Sequence, residues 1–276
     1  MMERRDFLKR LLGGGIALAA GGCAAPVPGT GAVGGKSLTV TMRFAGPMNP
    51  AFYYFFLINR YGATGSLTAR GPVAVYAPGQ GGLVGYGNGF ATGSPGSLGS
   101  PPDYGLTDYV LYNQNQPGSI GVYHFPGDPN IPNSAVYQGM PAQYTLPDLT
   151  NPQDIAGASS LSFRLQLSQL ITDTSDPNQK AQEAAAIRYI QVNIVATNYV
   201  PTDQNFSGVK EVDAMGNTLD PTQESSFLTM DLSQNRTYTS QDTTTLLSPE
   251  PAGDVYPAGT KNDAIDIIYW SITVSS

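Results

Sequence analysis

The chain of 276 residues has one cysteine, one histidine and one tryptophan, which are Cys23, His124 and Trp270. A single cysteine excludes an internal disulfide, so stability has to come from a packed core. One histidine and one cysteine are too few for a typical zinc site, and we expect no bound metal. No serine lies in a G-x-S-x-G motif that could pair with His124, so the sequence gives no support to a serine-hydrolase triad.

Charged residues are scarce as well, at 13% of the chain, with 14 basic against 21 acidic side chains. Four of the basic residues fall within the first ten positions, so the chain beyond residue 22 is more acidic still. Nucleic-acid binding depends on clustered Lys and Arg that neutralise phosphates. We therefore expect no nucleic-acid partner.

The N-terminus carries a basic start followed by a short, glycine-diluted apolar run, Leu11–Ala20. That run is shorter than the about 20 apolar residues that a bilayer-spanning helix needs. A basic region, a short apolar region and small residues before a cleavage site are typical of an export signal. The start resembles the twin-arginine pattern R-R-x-F-L-K at each specified position, through Arg4, Arg5, Phe7, Leu8 and Lys9.

Small residues then lead into the cysteine, in the order Ala19-Ala20-Gly21-Gly22-Cys23. This order resembles a bacterial lipobox, which implies cleavage after residue 22 and acylation of Cys23. Residues 23–36, rich in Gly, Pro and Ala, read as a flexible tether with a root-mean-square reach of about 20 Å. We expect an exported lipoprotein that the acylated Cys23 anchors at the bacterial cell envelope, on its periplasmic or surface side.

Residues 37–276 show the patterns of one β-rich domain. Leu38, Val40, Met42 and Phe44 alternate with polar residues, which predicts a strand with one buried face. Ala51–Asn59 is continuously apolar and aromatic, as in a strand covered on both faces. Further strands are predicted at Gly71–Gly79, Thr107–Asn113, Gly118–Gly127, Ser160–Leu170, Ile187–Thr197, Ser226–Leu232 and Asp263–Ser276. In the last of these, Ile268, Trp270, Ile272 and Val274 are expected on one face.

One helix interrupts this series. Asp176-Pro177-Asn178-Gln179 offers an N-cap, a proline at the first helical position and a capping-box glutamine, and the helix should end near Ile187. About ten strands with Gly/Pro-rich connections and one short helix predict a single antiparallel β-sandwich. Its core should include Val40, Phe55, Leu165, Val192 and Trp270.

Two segments resemble β-sandwich modules of the carbohydrate-binding, DOMON-like type. They are the turn Phe44–Pro50, which runs into an aromatic strand, and the closing strand segment Asp266–Trp270. Some members of that group bind haem through Met and His, so the resemblance leaves haem at His124 as an alternative. Our expectation is that the chain holds no cofactor.

Tyrosine and amide side chains gather in or beside the predicted loops. Aromatic faces together with amide hydrogen bonds suit neutral sugars. We therefore predict a ligand site formed by Tyr86, Asn88, Tyr109, Tyr112 and Asn113.

Other chemistry remains open at the acidic residues. Asp173, Asp176 and Asn178 could give oxygen ligands to calcium, although the helix start already accounts for the last two. Asp263 and Asp266 flank the last strand, and a glycosidase needs two facing carboxylates.

The sequence thus favours a lipid-anchored envelope protein whose non-catalytic β-sandwich binds a glycan or a protein partner. Two alternatives stay open: a structural or assembly component of the envelope, and a carboxylate-based enzyme that acts on glycosides.

Replacing Arg4 and Arg5 by lysine should leave precursor in the cytoplasm, because lysine keeps the charge and loses the guanidinium geometry. Cell fractionation followed by immunoblotting measures this. Normal export of the native sequence in a strain without the twin-arginine translocase would contradict the prediction.

Overall fold

The computed structural model describes residues 35–60, 71–74, 91–92, 106–124, 136–145, 158–200, 210–216, 226–245, 247 and 249–276. These residues contain fourteen strands, β1 to β14, at Ser37–Phe44, Tyr53–Asn59, Val73–Ala74, Ala91–Thr92, Asp108–Tyr112, Ile120–His124, Val136–Gly139, Gln143–Thr145, Ser160–Gln166, Tyr189–Thr197, Val212–Ala214, Leu228–Asp231, Arg236–Thr239 and Ile267–Ser275. One α-helix, α1, covers Pro177–Ala186. Short 3-10 turns cover Pro117–Ser119 and Leu167–Leu170.

The strands form two large antiparallel sheets, which confirms the all-β sandwich. The five-stranded sheet has the order β13-β14-β1-β9-β8. The seven-stranded sheet has the order β11-β10-β2-β5-β6-β7, and β12 also pairs with β10. A separate pair is formed by β3 and β4. The strand count exceeds the expected ten because several of the additional strands are only two to four residues long.

The apolar faces of the two sheets enclose the main core. At its centre the rings of Phe56 from β2 and Phe163 from β9 meet edge to face, with centroids 5.8 Å apart. All five predicted core residues are buried, with Trp270 at 0% exposure. Four of them lie in this core, whereas Phe55 points to the opposite face of β2.

A second apolar cluster covers the outer face of the seven-stranded sheet. Phe55, Leu57, Tyr109, Val195 and Val212 belong to this cluster. Because both faces of β2 are therefore buried, nearly every residue of Tyr53–Asn59 is apolar. The prediction of a strand covered on both sides is confirmed.

The last strand departs from the expected alternation. The pairing of β1 with β14 shifts between Arg43 and Phe44, so that Arg43 faces Tyr269 and Phe44 faces Ile267. The extra residue, Ile268, is a β-bulge, which lets Ile267 enter the core while Ile268 is only partly buried. The prediction that Ile268 shares the buried face of Trp270 was wrong for this reason.

The strand predicted at Ser160–Leu170 also ends early. It stops at Gln166, and Leu167–Leu170 turns as a 3-10 helix. Gln166 and Gln169 cap this turn reciprocally through their side chains and backbone groups.

The helix lies where the sequence predicts it, with Asp176 as N-cap and Ile187 as C-cap. The side chain of Asp176 accepts a hydrogen bond from the amide of Asn178 at 2.8 Å. Gln179 does not complete the predicted capping box, because Thr174 takes that role. The hydroxyl of Thr174 accepts from the Asp176 amide at 3.1 Å and bonds the side chain of Gln179 at 2.9 Å.

Phe56→Ala should lower the free energy of unfolding by about 3–5 kcal/mol, because it empties the contact between the sheets. Thr39→Ala, on the exposed face of β1, is the control and should change it by less than about 0.5 kcal/mol. Urea denaturation followed by circular dichroism measures both values. An equal effect of the two substitutions would contradict the assigned core.

Candidate functional site

Tyr109, Tyr112 and Asn113 lie inside the fold and offer no surface to a ligand. Tyr112 has 0% exposure and packs in the core between the sheets, whereas Tyr109 stacks on Tyr123 in the outer cluster. The amide group of Asn113 donates to the carbonyls of Ala51 and Phe52 at 3.0 and 2.8 Å. These three residues connect β5 to its neighbours, so the expectation that they contribute to a ligand site is corrected, because all three are buried.

The remaining predicted site residues fall outside the described residues. They are Tyr86 and Asn88 of the ligand site, Cys23, and Arg4, Arg5, Phe7, Leu8 and Lys9 of the export signal.

His124 lies in a polar group at the edge where β2 ends and β5 begins. Its Nδ1 is 3.1 Å from Oδ1 of Asp108, which is fully buried. Arg60 donates to Oδ2 of the same carboxylate from Nε at 2.6 Å, and the Thr107 hydroxyl donates to it at 2.7 Å. One carboxylate thereby fixes an imidazole and a guanidinium, an arrangement that ties three strand ends together.

A groove of about 520 Å³ runs between the edges of the two sheets. One wall is β12, an outer strand of the seven-stranded sheet, and the other is β13, the end strand of the five-stranded sheet. Its lining comprises Tyr189, Phe227, Leu228, Thr229, Asp231, Arg236, Tyr238, Thr244, Thr245 and Leu247. The volume lies within the usual range for small-ligand sites.

Apolar side chains form the floor of this groove and polar ones its rim. Phe227, Leu228, Tyr238 and Leu247 are buried, whereas Thr229, Arg236 and Thr244 are exposed. The Tyr238 hydroxyl donates to the Asp231 carbonyl at 3.3 Å and accepts from its amide at 3.1 Å, which joins β13 to β12. The floor is therefore fixed across both sheets.

The charged groups on the rim are already paired. Arg236 donates to Asp242 and to the Thr244 hydroxyl, each at 3.1 Å, and its guanidinium lies 4.6 Å from the centre of the Tyr238 ring. Hydrogen bonds from Ser233 hold the pKa of Asp231 below its usual value. The rim thus presents ionised groups in fixed positions without a strong excess of either sign.

A carboxylate cluster occupies a different part of the sandwich, beside the bulge of β14. Asp213, Asp254 and Asp266 bring carboxylate oxygens within 4.8 Å of one another. Asp213 accepts from the amides of Ala214 and Ile267, at 2.8 and 2.6 Å. Asp213 therefore links β11 of one sheet to the first residue of β14 in the other.

Glu250 interacts electrostatically with Asp254 and Asp266 and is counted with the three aspartates as a member of the carboxylate cluster. Glu250 and Asp254 both belong to the segment Pro249–Tyr256. Oε2 of Glu250 accepts from the indole nitrogen of Trp270 at 2.8 Å and from the Gly216 amide at 3.2 Å. The Gly253 amide donates to both oxygens of Asp266 at 3.0 Å. Oε1 of Glu250 and Oδ1 of Asp254 are buried without a hydrogen-bond partner.

Burial and mutual repulsion raise the pKa values of this cluster. Burial raises the pKa of Glu250 to about 8, with Asp254 and Asp266 acting in the same direction. Burial also raises the pKa of Asp254 to about 6 and that of Asp213 well above its usual range. The pKa of Asp266 is raised too, first by burial and then by Asp263. At neutral pH the cluster therefore holds protons.

The cluster differs from a glycosidase pair. Asp213 is 3% exposed and both of its oxygens are committed to backbone amides, so it has no free oxygen for a substrate. Asp263 is exposed whereas Asp266 is buried in the carboxylate cluster, so the two acids that precede the last strand lie in different environments. Asp213, Asp254 and Asp266 are the described residues that could hold a cation.

Neither the groove nor the cluster has a local sequence signal. The acids come from three separate stretches, and sequence reasoning found Asp266 alone. The alternation in Arg236–Thr239 could have predicted the strand β13. The contact between β13 and β12, which forms the groove, depends on how the two sheets face each other.

No protein-family model matches the chain, and no curated protein or solved structure does so. In the described part of the chain, no helix has the length and apolar character to cross a bilayer.

The free energy of unfolding should fall by about 2–4 kcal/mol as the pH rises from about 5 to about 7. An unfolded Asp or Glu loses its proton near pH 4, whereas the folded cluster keeps protons to higher pH, so the extra stability is present at low pH and lost on ionisation. Above about pH 7 Lys210 opposes this trend, because burial lowers its pKa to about 7.

Urea denaturation at the two pH values measures the difference. Glu250→Gln should flatten the dependence, because a glutamine does not ionise. Greater stability of the native sequence at about pH 7 than at about pH 5 would contradict the assignment.

Proposed function

We propose that this chain is an exported, lipid-anchored envelope protein whose β-sandwich binds a neutral glycan without catalysing a reaction. The twin-arginine and lipobox patterns, Arg4 to Lys9 and Ala19 to Cys23, support export and anchoring. The groove between β12 and β13 carries the binding proposal, since it replaces the buried tyrosines as the ligand site.

The chemistry of the groove suits a sugar ring. Tyr189 is partly exposed, and the Arg188 guanidinium lies 5.0 Å from the centre of its ring. Thr229, Thr244 and Thr245 place hydroxyls around an apolar floor. Sugars present apolar ring faces and many hydroxyls, which aromatic rings and such polar groups recognise together.

The paired charges of the rim favour a neutral ligand. Arg236 is held by Asp242, and Asp231 lies near the positive charges of Arg188 and Lys36. These groups can donate to or accept from hydroxyls without requiring a charged partner. The acidic character of the whole chain also disfavours polyanions.

A second candidate is an envelope protein as partner, with the sandwich acting as an assembly surface. The observation that favours it is the exposure of Val136 and Tyr137, at 52% and 41%. Both residues belong to β7, the last strand of the seven-stranded sheet in the described part of the chain.

Cys23→Ser should leave the protein unprocessed or release it from the membrane, because serine provides no thiol for acylation. Detergent partitioning of cell fractions and mass spectrometry of the N-terminal peptide measure this. An unmodified Cys23 on the exported native protein would refute the anchoring proposal.

Tyr189→Ala should weaken glycan binding by roughly 3- to 10-fold and leave the melting temperature nearly unchanged. Tyr269→Ala is the matched control, since Tyr269 is also partly buried with a guanidinium 5.9 Å from its ring centre, outside the groove. A glycan array followed by calorimetry measures the affinity.

The affinity should also persist when salt is added, because stacking and hydroxyl hydrogen bonds are screened far less than ion pairs. Loss of binding in salt, or equal losses for the two tyrosine variants, would reject the groove. Binding of an envelope protein in the absence of glycan binding would favour the second candidate.

A further inference from the structure

We propose that the carboxylate cluster is a proton-operated latch, which holds the segment Pro249–Tyr256 on the sandwich when it is protonated and releases that segment when it ionises. The proposal is independent of glycan binding and of the lipid anchor. It rests on which parts of the fold carry the acids and on which oxygens lack a donor.

The carboxylate cluster has two halves: Asp213 and Asp266 are held by the sheets, and Glu250 and Asp254 belong to the segment Pro249–Tyr256. Asp213 lies on β11 and accepts from the amide of Ile267, and Asp266 directly precedes β14. Glu250 and Asp254 both belong to Pro249–Tyr256, which has no helix or strand of its own beyond a bridge of Tyr256 to Val212. Repulsion between the two halves therefore acts to separate the segment from the sheets.

The oxygens that lack a partner belong to the segment half. Oε1 of Glu250 and Oδ1 of Asp254 are buried with no donor, whereas Asp213 and Asp266 each use both oxygens to accept backbone hydrogen bonds. Backbone donors favour an ionised carboxylate, and a buried acceptor without a donor favours a proton. A proton on each of these two oxygens removes the charge from the segment half.

Within the described part of the chain, the charges that act on the pKa values of these four carboxylates are acidic. The charged groups that act on the cluster members are one another and Asp263, from the turn before β14, and each of these raises a pKa. Ionisation of Glu250 and Asp254 would add negative charge beside the carboxylates of Asp213 and Asp266 in a largely buried environment. Moving the segment into water relieves this repulsion.

The segment closes the core at this end of the sandwich. Val255 is 1% exposed and belongs to the main core, and the indole of Trp270 donates to Glu250. Release would therefore admit water to Trp270. Because Trp270 is the sole tryptophan, its fluorescence reports the state of the latch directly.

The experiment combines a fluorescence titration with hydrogen exchange, from about pH 5 to about pH 9. In the native protein Trp270 emission should shift to longer wavelength as the pH rises. Peptides that contain Gly253 should lose protection by at least about tenfold after correction for the intrinsic rate, while peptides from β10 keep theirs. The double variant Glu250→Gln, Asp254→Asn should show neither change. Glu183→Gln, which removes a partly exposed acid on α1, should behave as the native protein.

Three outcomes would overturn the latch. The first is an emission that does not change with pH, or one that still changes in the double variant. The second is equal loss of protection in β10, which would indicate global unfolding. The third is closure by millimolar calcium at high pH that chelation reverses, which would make the cluster a cation site.

Discussion

Contact between the apolar faces of two sheets is the interaction on which the rest of this structure depends. The chain has one cysteine and few ion pairs among its described residues, so neither disulfides nor salt bridges can substitute for that contact. Phe56 and Phe163 meet at its centre, and the buried side chains of β1, β10 and β14 extend it in both directions. The apolar contact covers the inner faces of the sheets, so the edges and ends of the sandwich have to be joined by polar interactions.

The polar clusters serve that need at three places. The bonds of Asp108 with Arg60 and His124 join three strand ends of the seven-stranded sheet. Tyr238 and Asp231 join the two sheets at the groove, and Asp213 joins them at the bulge of β14. Each cluster buries polar groups, and each uses backbone or side-chain partners to offset the cost of removing them from water.

These three polar groups differ in how completely their charges and hydrogen-bonding atoms are paired. That difference distinguishes a group with a structural role from one with a candidate function. The carboxylate of Asp108 is matched by the Arg60 guanidinium and the His124 imidazole. The rim of the groove pairs its own charges and leaves threonine hydroxyls exposed, as a binding surface for a neutral molecule should. The carboxylate cluster gathers acids whose pKa values are raised by burial and by one another, so its stability depends on protons. The β-sandwich therefore contains one structural polar cluster at Asp108, one candidate binding groove and one carboxylate cluster that is a candidate pH-sensitive latch.

The sequence by itself determined the longer strands, the helix and the burial of five core residues, because these follow from local periodicity and capping. Leu38 to Phe44 alternate, Tyr53 to Asn59 are apolar on both faces, and Asp176 begins a helix. The bulge at Ile268 and the turn at Leu167 were not predicted. The bulge adds one residue to a regular alternation, and the turn tightens the end of a regular strand into a 3-10 helix. Tyr109, Tyr112 and Asn113 were assigned to a surface because tyrosine and asparagine suit both a rim and a buried network. Only the tertiary structure decided between those environments, and only it brought Asp213, Glu250, Asp254 and Asp266 together, since residues from separate segments become neighbours through the register and facing of the two sheets.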